Sequence, residues 1–264
     1  MFIPSGDVLL NAVAFGDADR PVFLAHGGWV GSWELWQQPF ELMHTQWRCI
    51  SYDHRGSGAT TARPDQITPQ LLADDVVRVL DFHEVDTCVL AGESLGAVTA
   101  MTVALEHPDR VAGLVLVDGV PAAGDAPPHP MIAGCEADYP GLVAAFVDAC
   151  IPDDDADHLR RWGRQILLRA EPAAAARMFA CFDEQPVAPA AESLRQPTLL
   201  LQGARDVIVP LEAAEALAAR MPRSELVVLP DAGHVPTITH PQAVVDAITR
   251  WSEATGVRDH TVER

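Results

Sequence analysis

The chain has 264 residues, of which 48% are hydrophobic, and its 18 basic and 37 acidic residues give a formal net charge of −19. This length and composition are typical of one large globular α/β domain. The negative charge argues against nucleic acid and anionic membranes as partners, because binding to phosphates needs clustered cationic side chains.

The termini and the cysteines narrow the class further. No basic segment followed by an apolar run opens the chain, and no apolar stretch approaches the ~20 residues of a membrane span. The five cysteines are odd in number and scattered, without a C-x-x-C or zinc-ligand spacing: Cys49, Cys88, Cys135, Cys150 and Cys181. We therefore expect a cytoplasmic protein with no disulfide scaffold and no metal.

In the first half of the chain, short apolar runs alternate with helical patterns. Strands are predicted at residues 8–14 (an early edge strand), 21–25, 47–52, 88–91 and 111–117. Helices are predicted at residues 32–43, at 68–82 with Thr68 as the N-cap, and from the Gly-rich turn at 92–96 to residue 107. Buried strands that alternate with helices favour a mostly parallel sheet with helices on both faces.

The alternation stops at about residue 120 and resumes at about residue 194. Between these points the sequence predicts only helices, at residues 141–150, 154–169 and 171–182. The α/β pattern then returns with strands at 197–202 and 225–229, and with helices at 211–221 and 240–254. The polar tail after Gly256 is expected to be frayed.

The turn at residues 92–96, Gly-Glu-Ser-Leu-Gly, carries the main chemical signal. Glycines two residues before and after Ser94 let neighbouring backbones approach where a Cβ would clash. The turn would place the serine hydroxyl at a helix N-terminus, where free N–H groups favour developing negative charge. The alternative is a glycine-rich turn with an incidental serine. This G-x-S-x-G turn resembles the nucleophile elbow of the α/β-hydrolase family, and the similarity extends from about residue 8 to 255.

The resemblance implies a fold and a division of the chain. It implies an eight-stranded, mostly parallel sheet in a core of residues 1–120 and 193–264. The inserted helices at 121–192 would form a cap over the active site; the alternative is that they merely pack on the sheet. Three aromatic side chains are candidate walls of a substrate pocket, namely Trp29, Trp162 and Phe179.

A serine hydroxyl needs an adjacent base, and the base needs a carboxylate to orient it. Ser94, Asp206 and His234 follow predicted strands in the order that the family uses. Asp118, at the end of the preceding strand, is the alternative acid. The resemblance further implies an oxyanion hole from the backbone N–H groups of Gly28, in His-Gly-Gly-Trp, and of Leu95. No cofactor motif is present.

These residues predict a serine hydrolase that cleaves a small, largely apolar carboxylic ester or lactone through an acyl-enzyme. An Asp nucleophile is absent, which disfavours haloalkane dehalogenase and epoxide hydrolase chemistry. One alternative is carbon–carbon hydrolysis of a dienoate or β-diketone, for which Arg160, Arg161, Arg164 and Arg169 could bind a carboxylate. A non-catalytic receptor on this fold is another. We expect a small-molecule substrate as the partner and a monomer or homodimer.

Overall fold

Eight strands form one sheet in this computed structural model, which describes residues 1–119, 129–184 and 187–260. The strands are β1 (Phe2–Ser5), β2 (Val8–Phe15), β3 (Val22–His26), β4 (Arg48–Tyr52), β5 (Cys88–Glu93), β6 (Val111–Val117), β7 (Thr198–Gly203) and β8 (Ser224–Leu229). Their order is β1-β2-β4-β3-β5-β6-β7-β8. The β1–β2 and β2–β4 pairs are antiparallel, and every other neighbouring pair is parallel.

Helices cover both faces of this sheet. They are α1 (Gln37–Met43), α2 (Pro69–Phe82), α3 (Leu95–Glu106), α4 (Pro130–Cys150), α5 (Asp157–Leu167), α6 (Pro172–Asp183), α7 (Leu211–Arg220), α8 (Pro236–Thr239) and α9 (Pro241–Thr255). One buried cluster packs α2, α3 and α7 on the sheet, and a second packs α1 and α9 on the opposite face. Alternate residues of β5 enter the two clusters, which explains why its sequence is continuously apolar.

Two sequence expectations need correction. The strand at 8–14 is not at the edge, because β1 pairs outside it in the register Phe2↔Asn11. Four residues that include a proline give little strand signal, although an edge position tolerates that proline. The segment after Gly256 is also not simply frayed. Val257 is buried and packs with Trp251 over the backbone of Gly113 in β6.

Helices α4, α5 and α6 form a third buried cluster, above the loops that follow the strands. They pack against Trp29 and Val30, which follow β3, and against Ile67. Helix α4 bends at Asp138, two residues before Pro140, and it begins eleven residues earlier than the sequence pattern predicted. The Pro-rich start of this region, at residues 120–128, lies outside the described residues. Within the described ranges, no helix combines the length and the apolar character that a membrane crossing requires.

Candidate active site

The backbone around Ser94 makes a turn that few residues tolerate. Ser94 links β5 to α3 with a φ of +52°, and its N–H donates to the Val117 carbonyl at 2.8 Å. A Cβ on Gly92 would lie 2.3 Å from the Gly96 carbonyl oxygen, and one on Gly96 would lie 2.5 Å from the Gly27 oxygen. Glycine is therefore required on both sides of Ser94, and the serine itself occupies a strained conformation.

A chain of hydrogen bonds leads from Ser94 to a buried carboxylate. The His234 Nε2 lies 3.0 Å from the Ser94 Oγ, and the His234 Nδ1 lies 2.8 Å from the Asp206 Oδ2. When Nδ1–H donates to the carboxylate, Nε2 is left free to accept the serine proton. This geometry can turn a serine hydroxyl into a nucleophile.

The Asp206 carboxylate is itself held by donors from the loop after β7. Its Oδ1 accepts from the backbone N–H groups of Ile208 and Val209 at 2.8 and 3.0 Å. The Gln202 side-chain amide donates to its Oδ2 at 3.1 Å. Such donors fix the orientation of the carboxylate. His234 is also held in place, because its backbone N–H donates to the Cys150 backbone carbonyl on α4 at 3.0 Å.

Asp118, the alternative acid, makes a different contact. Its Oδ1 accepts from the Gly203 N–H at 2.7 Å, and its Oδ2 has no hydrogen-bond partner among the described residues. Burial, together with the negative charge of Asp206, raises the pKa of Asp118 well above its usual value. The structure therefore brings Asp206, and not Asp118, against the imidazole.

In the described part of the chain, one cluster of side chains could hold a metal ion, and it consists of Asp118, Asp206 and His234. Ligand atoms of Asp118, Asp206 and His234 lie within 4.8 Å of one another. Both imidazole nitrogens, however, already face Ser94 and Asp206. An ion bound there would have to break the chain of hydrogen bonds that leads to the serine.

The two peptide groups that the sequence predicted as oxyanion donors lie beside Ser94. Leu95 is the first residue of α3, a position whose N–H has no acceptor within the helix. A Cβ on Gly28 would lie 3.0 Å from the Ser94 Cβ, so this peptide is in direct contact with the serine. The Gly28 carbonyl accepts from the Gly31 N–H at 2.9 Å and faces the His54 Nε2 at 3.2 Å. These contacts hold the loop after β3 in place.

A stacked pair of histidines supports that loop from below. The rings of His26 and His54 are parallel, with centroids 4.9 Å apart, and the His26 Nδ1 lies 2.7 Å from the Gly27 oxygen. Burial, with a contribution from His54, lowers the pKa of His26 to about 3. Both imidazoles are structural, because the chain of bonds to Ser94 runs through His234.

Two cavities meet at Ser94, and Trp29 and Phe146 line both of them. The smaller has a volume of about 50 Å³, and none of its lining residues is exposed. Its apolar wall includes Leu35, Val147, Ile151, Leu167 and Ile238. The larger has a volume of about 410 Å³ and reaches the surface at the exposed residues His129, Val207, Ile208 and Pro210. Both are predominantly apolar, as binding sites for small molecules usually are.

Of the three aromatic residues predicted to line the pocket, two do so. Trp29 lines both cavities, and Phe179 lies in the larger one, with its ring 4.9 Å from that of Trp29. Trp162 was misassigned: it lies in a surface groove with His158 and Glu41 and does not line either cavity. The residues of α5 that line the smaller cavity are Gly163 and Leu167. Consecutive residues of a helix point about 100° apart, so Trp162, next to Gly163, faces elsewhere.

Several residues that line the site were not predicted from the sequence, and Phe146 and Glu93 are two of them. Phe146 of α4 lines both cavities, and its ring lies 6.3 Å from the His234 ring. No sequence pattern distinguishes it from other apolar residues of that helix. Glu93 lies in the wall of the smaller cavity. The sequence could have indicated Glu93, because an acidic residue at the end of a fully buried strand is unusual.

The arginines of the inserted helices do not face Ser94. Arg160 donates to the Ile151 and Asp153 carbonyls, Arg164 pairs with Asp148, and Arg169 pairs with Glu34 at 2.5 Å. Arg161 is exposed. Among the described residues that line the two cavities, there is no arginine.

Residues 22–247 match the model of the alpha/beta hydrolase family. The chain belongs to this family. A protein of Caulobacter sp. (strain K31), provisionally named carbamate hydrolase RutD, is 27% identical over 93% of this chain and 96% of its own length. The pimeloyl-(acyl-carrier protein) methyl ester esterase of Aromatoleum aromaticum (strain DSM 19018 / LMG 30748 / EbN1) is 30% identical over 85% of this chain and 95% of its own length.

A solved structure agrees with this assignment. A thermophilic esterase from Thermogutta terrifontis is 28% identical and superposes with a TM-score of 0.87, covering 97% of this chain and 98% of its own. The eight-stranded, mostly parallel sheet is thus that of an alpha/beta hydrolase. As a member of this family with hydrolase relatives along its length, the protein is a hydrolase.

Proposed function

We propose that this alpha/beta hydrolase is a serine hydrolase that cleaves a small, largely apolar carboxylic ester or lactone. The observation that carries the proposal is the hydrogen-bonded chain from Asp206 through His234 to Ser94, ending where two apolar cavities meet. An ester carbonyl placed at Ser94 would have one substituent in each cavity. The peptide N–H groups of Gly28 and Leu95 would lie beside its oxygen.

In this mechanism the Ser94 Oγ attacks the carbonyl carbon as His234 Nε2 takes the hydroxyl proton. The Gly28 and Leu95 N–H groups stabilise the tetrahedral oxyanion, and Asp206 stabilises the imidazolium. Collapse breaks the bond to the alkoxy oxygen, which receives the proton from Nε2 and leaves as the alcohol. A water that loses its proton to His234 then attacks the acyl-enzyme, and the acid and free Ser94 are released.

The two cavities support an orientation for the ester. The smaller cavity, of about 50 Å³, has room for roughly three to five non-hydrogen atoms, since one water needs about 10–15 Å³ of such volume. We assign the acyl group to it, because the acyl part stays bonded to Ser94 while the alcohol departs. The larger cavity, which reaches the surface, takes the alcohol.

Residues of the inserted helices form much of both walls, including Phe146, Leu167 and Phe179. This supports our proposal that residues 121–192 act as a cap that shapes the pocket. The relatives' names are compatible with the proposed chemistry, since methyl esters and carbamates both present a carbonyl to a nucleophile. The lack of an arginine among the described lining residues argues against a dienoate carboxylate as the ligand. The cytoplasmic location and the monomer or homodimer stay predictions.

The test is a set of initial rates on nitrophenyl esters of increasing acyl length and on small lactones, with Ser94→Ala as the control. We expect the rates to fall once the acyl chain exceeds about four carbons, because the smaller cavity has a volume of only about 50 Å³ and none of its lining residues is exposed. Ser94→Ala should lower kcat by roughly 10⁴-fold or more while the protein stays folded, because only the nucleophile is removed. Unchanged hydrolysis in this variant would refute the mechanism. Labelling of Ser94 by a fluorophosphonate without turnover of any ester would favour carbon–carbon hydrolysis.

A further inference from the structure

Glu93, directly before Ser94, is one of the residues that line the smaller cavity, and its side chain carries a buried carboxyl group. The residue is 1% exposed. Its Oε1 accepts a hydrogen bond from the Thr237 hydroxyl of α8 at 2.5 Å, whereas its Oε2 is buried and has no partner among the described residues. A buried polar atom without a hydrogen-bond partner lowers the stability of the folded protein. A ligand in the adjacent cavity could provide the missing hydrogen bond.

The surroundings of Glu93 favour its neutral form. Burial raises the pKa of Glu93 to about 8, and the hydroxyl of Thr237 offsets this only in part. The titratable groups that face it are Asp118 after β6, Cys150 on α4 and His234 after β8. Burial also raises the pKa values of Asp118 and Cys150 well above their usual values.

The position of the proton on Glu93 follows from the bond to Thr237. Because the Thr237 hydroxyl donates to Oε1, that oxygen acts as the acceptor. The carboxylic proton then lies on Oε2, the oxygen that has no partner. A neutral carboxyl group in this arrangement can donate one hydrogen bond from Oε2.

We propose that Glu93 is a specificity-determining residue that donates a hydrogen bond from Oε2 to an oxygen atom on the acyl group of the substrate. This inference rests on the proposed function and narrows its substrate class. The preferred acyl group is short, to suit a cavity of about 50 Å³, and it carries a hydroxy, alkoxy or oxo oxygen. A plain alkyl group of the same size would leave the Glu93 Oε2 unpaired. We therefore expect a lower kcat/KM for a substrate with an alkyl acyl group than for one with the oxygen-bearing acyl group.

A matched pair of substrates tests this assignment, namely 4-nitrophenyl butyrate and 4-nitrophenyl methoxyacetate. Their acyl groups have the same number of non-hydrogen atoms and differ in one methylene, which is an ether oxygen in the second. The nitrophenyl ring exceeds the smaller cavity, so the acyl group must occupy it. The measured quantity is the methoxyacetate-to-butyrate ratio of kcat/KM. Intrinsic reactivity cancels when this ratio is compared between the wild type and a variant.

We expect Glu93→Leu, which has no donor, to lower the ratio by about fivefold to tenfold. Glu93→Gln keeps a donor at the same position and should stay within about twofold of the wild type. Between pH 7 and 9 the wild-type ratio should fall, because a carboxylate cannot donate, and the Glu93→Gln ratio should stay flat. A purely structural role would not produce this difference between the two pH profiles. Thermal unfolding and fluorophosphonate labelling of Ser94 establish that each variant is folded.

An unchanged ratio in folded, Ser94-dependent Glu93→Leu would overturn the inference and leave only water as the partner of Oε2. Failure of the proposed function would look different, since the wild type would then hydrolyse neither ester. In that case the inference is decided by ligand-observed NMR of methyl methoxyacetate and methyl butyrate with Ser94→Ala. If adding Glu93→Leu to Ser94→Ala weakens the binding of methyl methoxyacetate but not of methyl butyrate, the role of Glu93 is supported. If it changes the binding of both ligands equally, the role is overturned.

Discussion

Two buried carboxyl groups near His234 differ in what they contact, and this difference decides which one is the triad acid. The Asp206 Oδ2 lies 2.8 Å from the imidazole, whereas the Asp118 Oδ1 accepts from the Gly203 N–H. Asp206→Asn should lower kcat by roughly 10⁴-fold, because the amide favours the wrong imidazole tautomer. Asp118→Asn should cost less than about tenfold, because Asp118 is not the carboxyl group bonded to His234 and Asn retains the oxygen that accepts from the Gly203 N–H.

Steady-state kinetics of the two variants on one nitrophenyl ester provide the measurement. Equal thermal stability of the two proteins would show that the loss in Asp206→Asn is chemical. Comparable losses of kcat in both variants would mean that the two carboxyl groups orient His234 together. The sequence favoured Asp206 and kept Asp118 as the alternative, because both residues follow a predicted strand and only the tertiary structure shows which side chain reaches the imidazole.

At the scale of elements, Trp29 connects the loop after β3 to the inserted helices. Its Nε1 donates to the Ala175 carbonyl of α6 at 2.9 Å, and its ring packs on Phe146 and Phe179. Trp29→Phe should destabilise the protein by about 1 kcal/mol beyond the loss of ring volume, because a buried hydrogen bond is removed. KM should rise more than kcat falls, since Trp29 lines both cavities and does not contact the proton path.

Trp36→Phe is the matched control for this variant. Trp36 is also fully buried, but its Nε1 has no hydrogen-bond partner in the described part of the chain, and it packs on the opposite side, with Phe23 and Phe40. Chemical denaturation gives the free energy of unfolding of both variants. The same loss of stability in both, with the same KM, would contradict a connecting role for Trp29.

The elements that the sequence predicted well are those whose structure is determined by the residues of the element itself. Continuous apolar runs identified the strands from β2 to β8, and Thr68 accepts from the Leu71 N–H as an N-cap should. The elements and residues that it missed depend on contacts across the chain. Strand β1 exists because β2 pairs with it, and the position of Trp162 depends on which face α5 turns toward Ser94.

At the scale of the whole molecule, charge is the dominant feature. The sequence contains no lysine, so arginine provides all 18 basic side chains, against 37 acidic ones. Because arginine stays protonated, the net charge changes with pH only through acids, histidines, cysteines, tyrosines and the termini. At pH 8 the acidic groups repel one another, which opposes the compact state, and this repulsion weakens as added salt shortens the Debye length.

We therefore expect the melting temperature at pH 8 to rise by about 2–4 °C between 10 and 100 mM NaCl, over which the Debye length falls from about 30 to 10 Å. The same salt series at pH 4.7, near the isoelectric point, is the control and should leave the melting temperature nearly unchanged. Scanning fluorimetry of the six tryptophans measures both series. Equal slopes at the two pH values would contradict charge repulsion as the cause, because salt would then be acting on apolar burial instead.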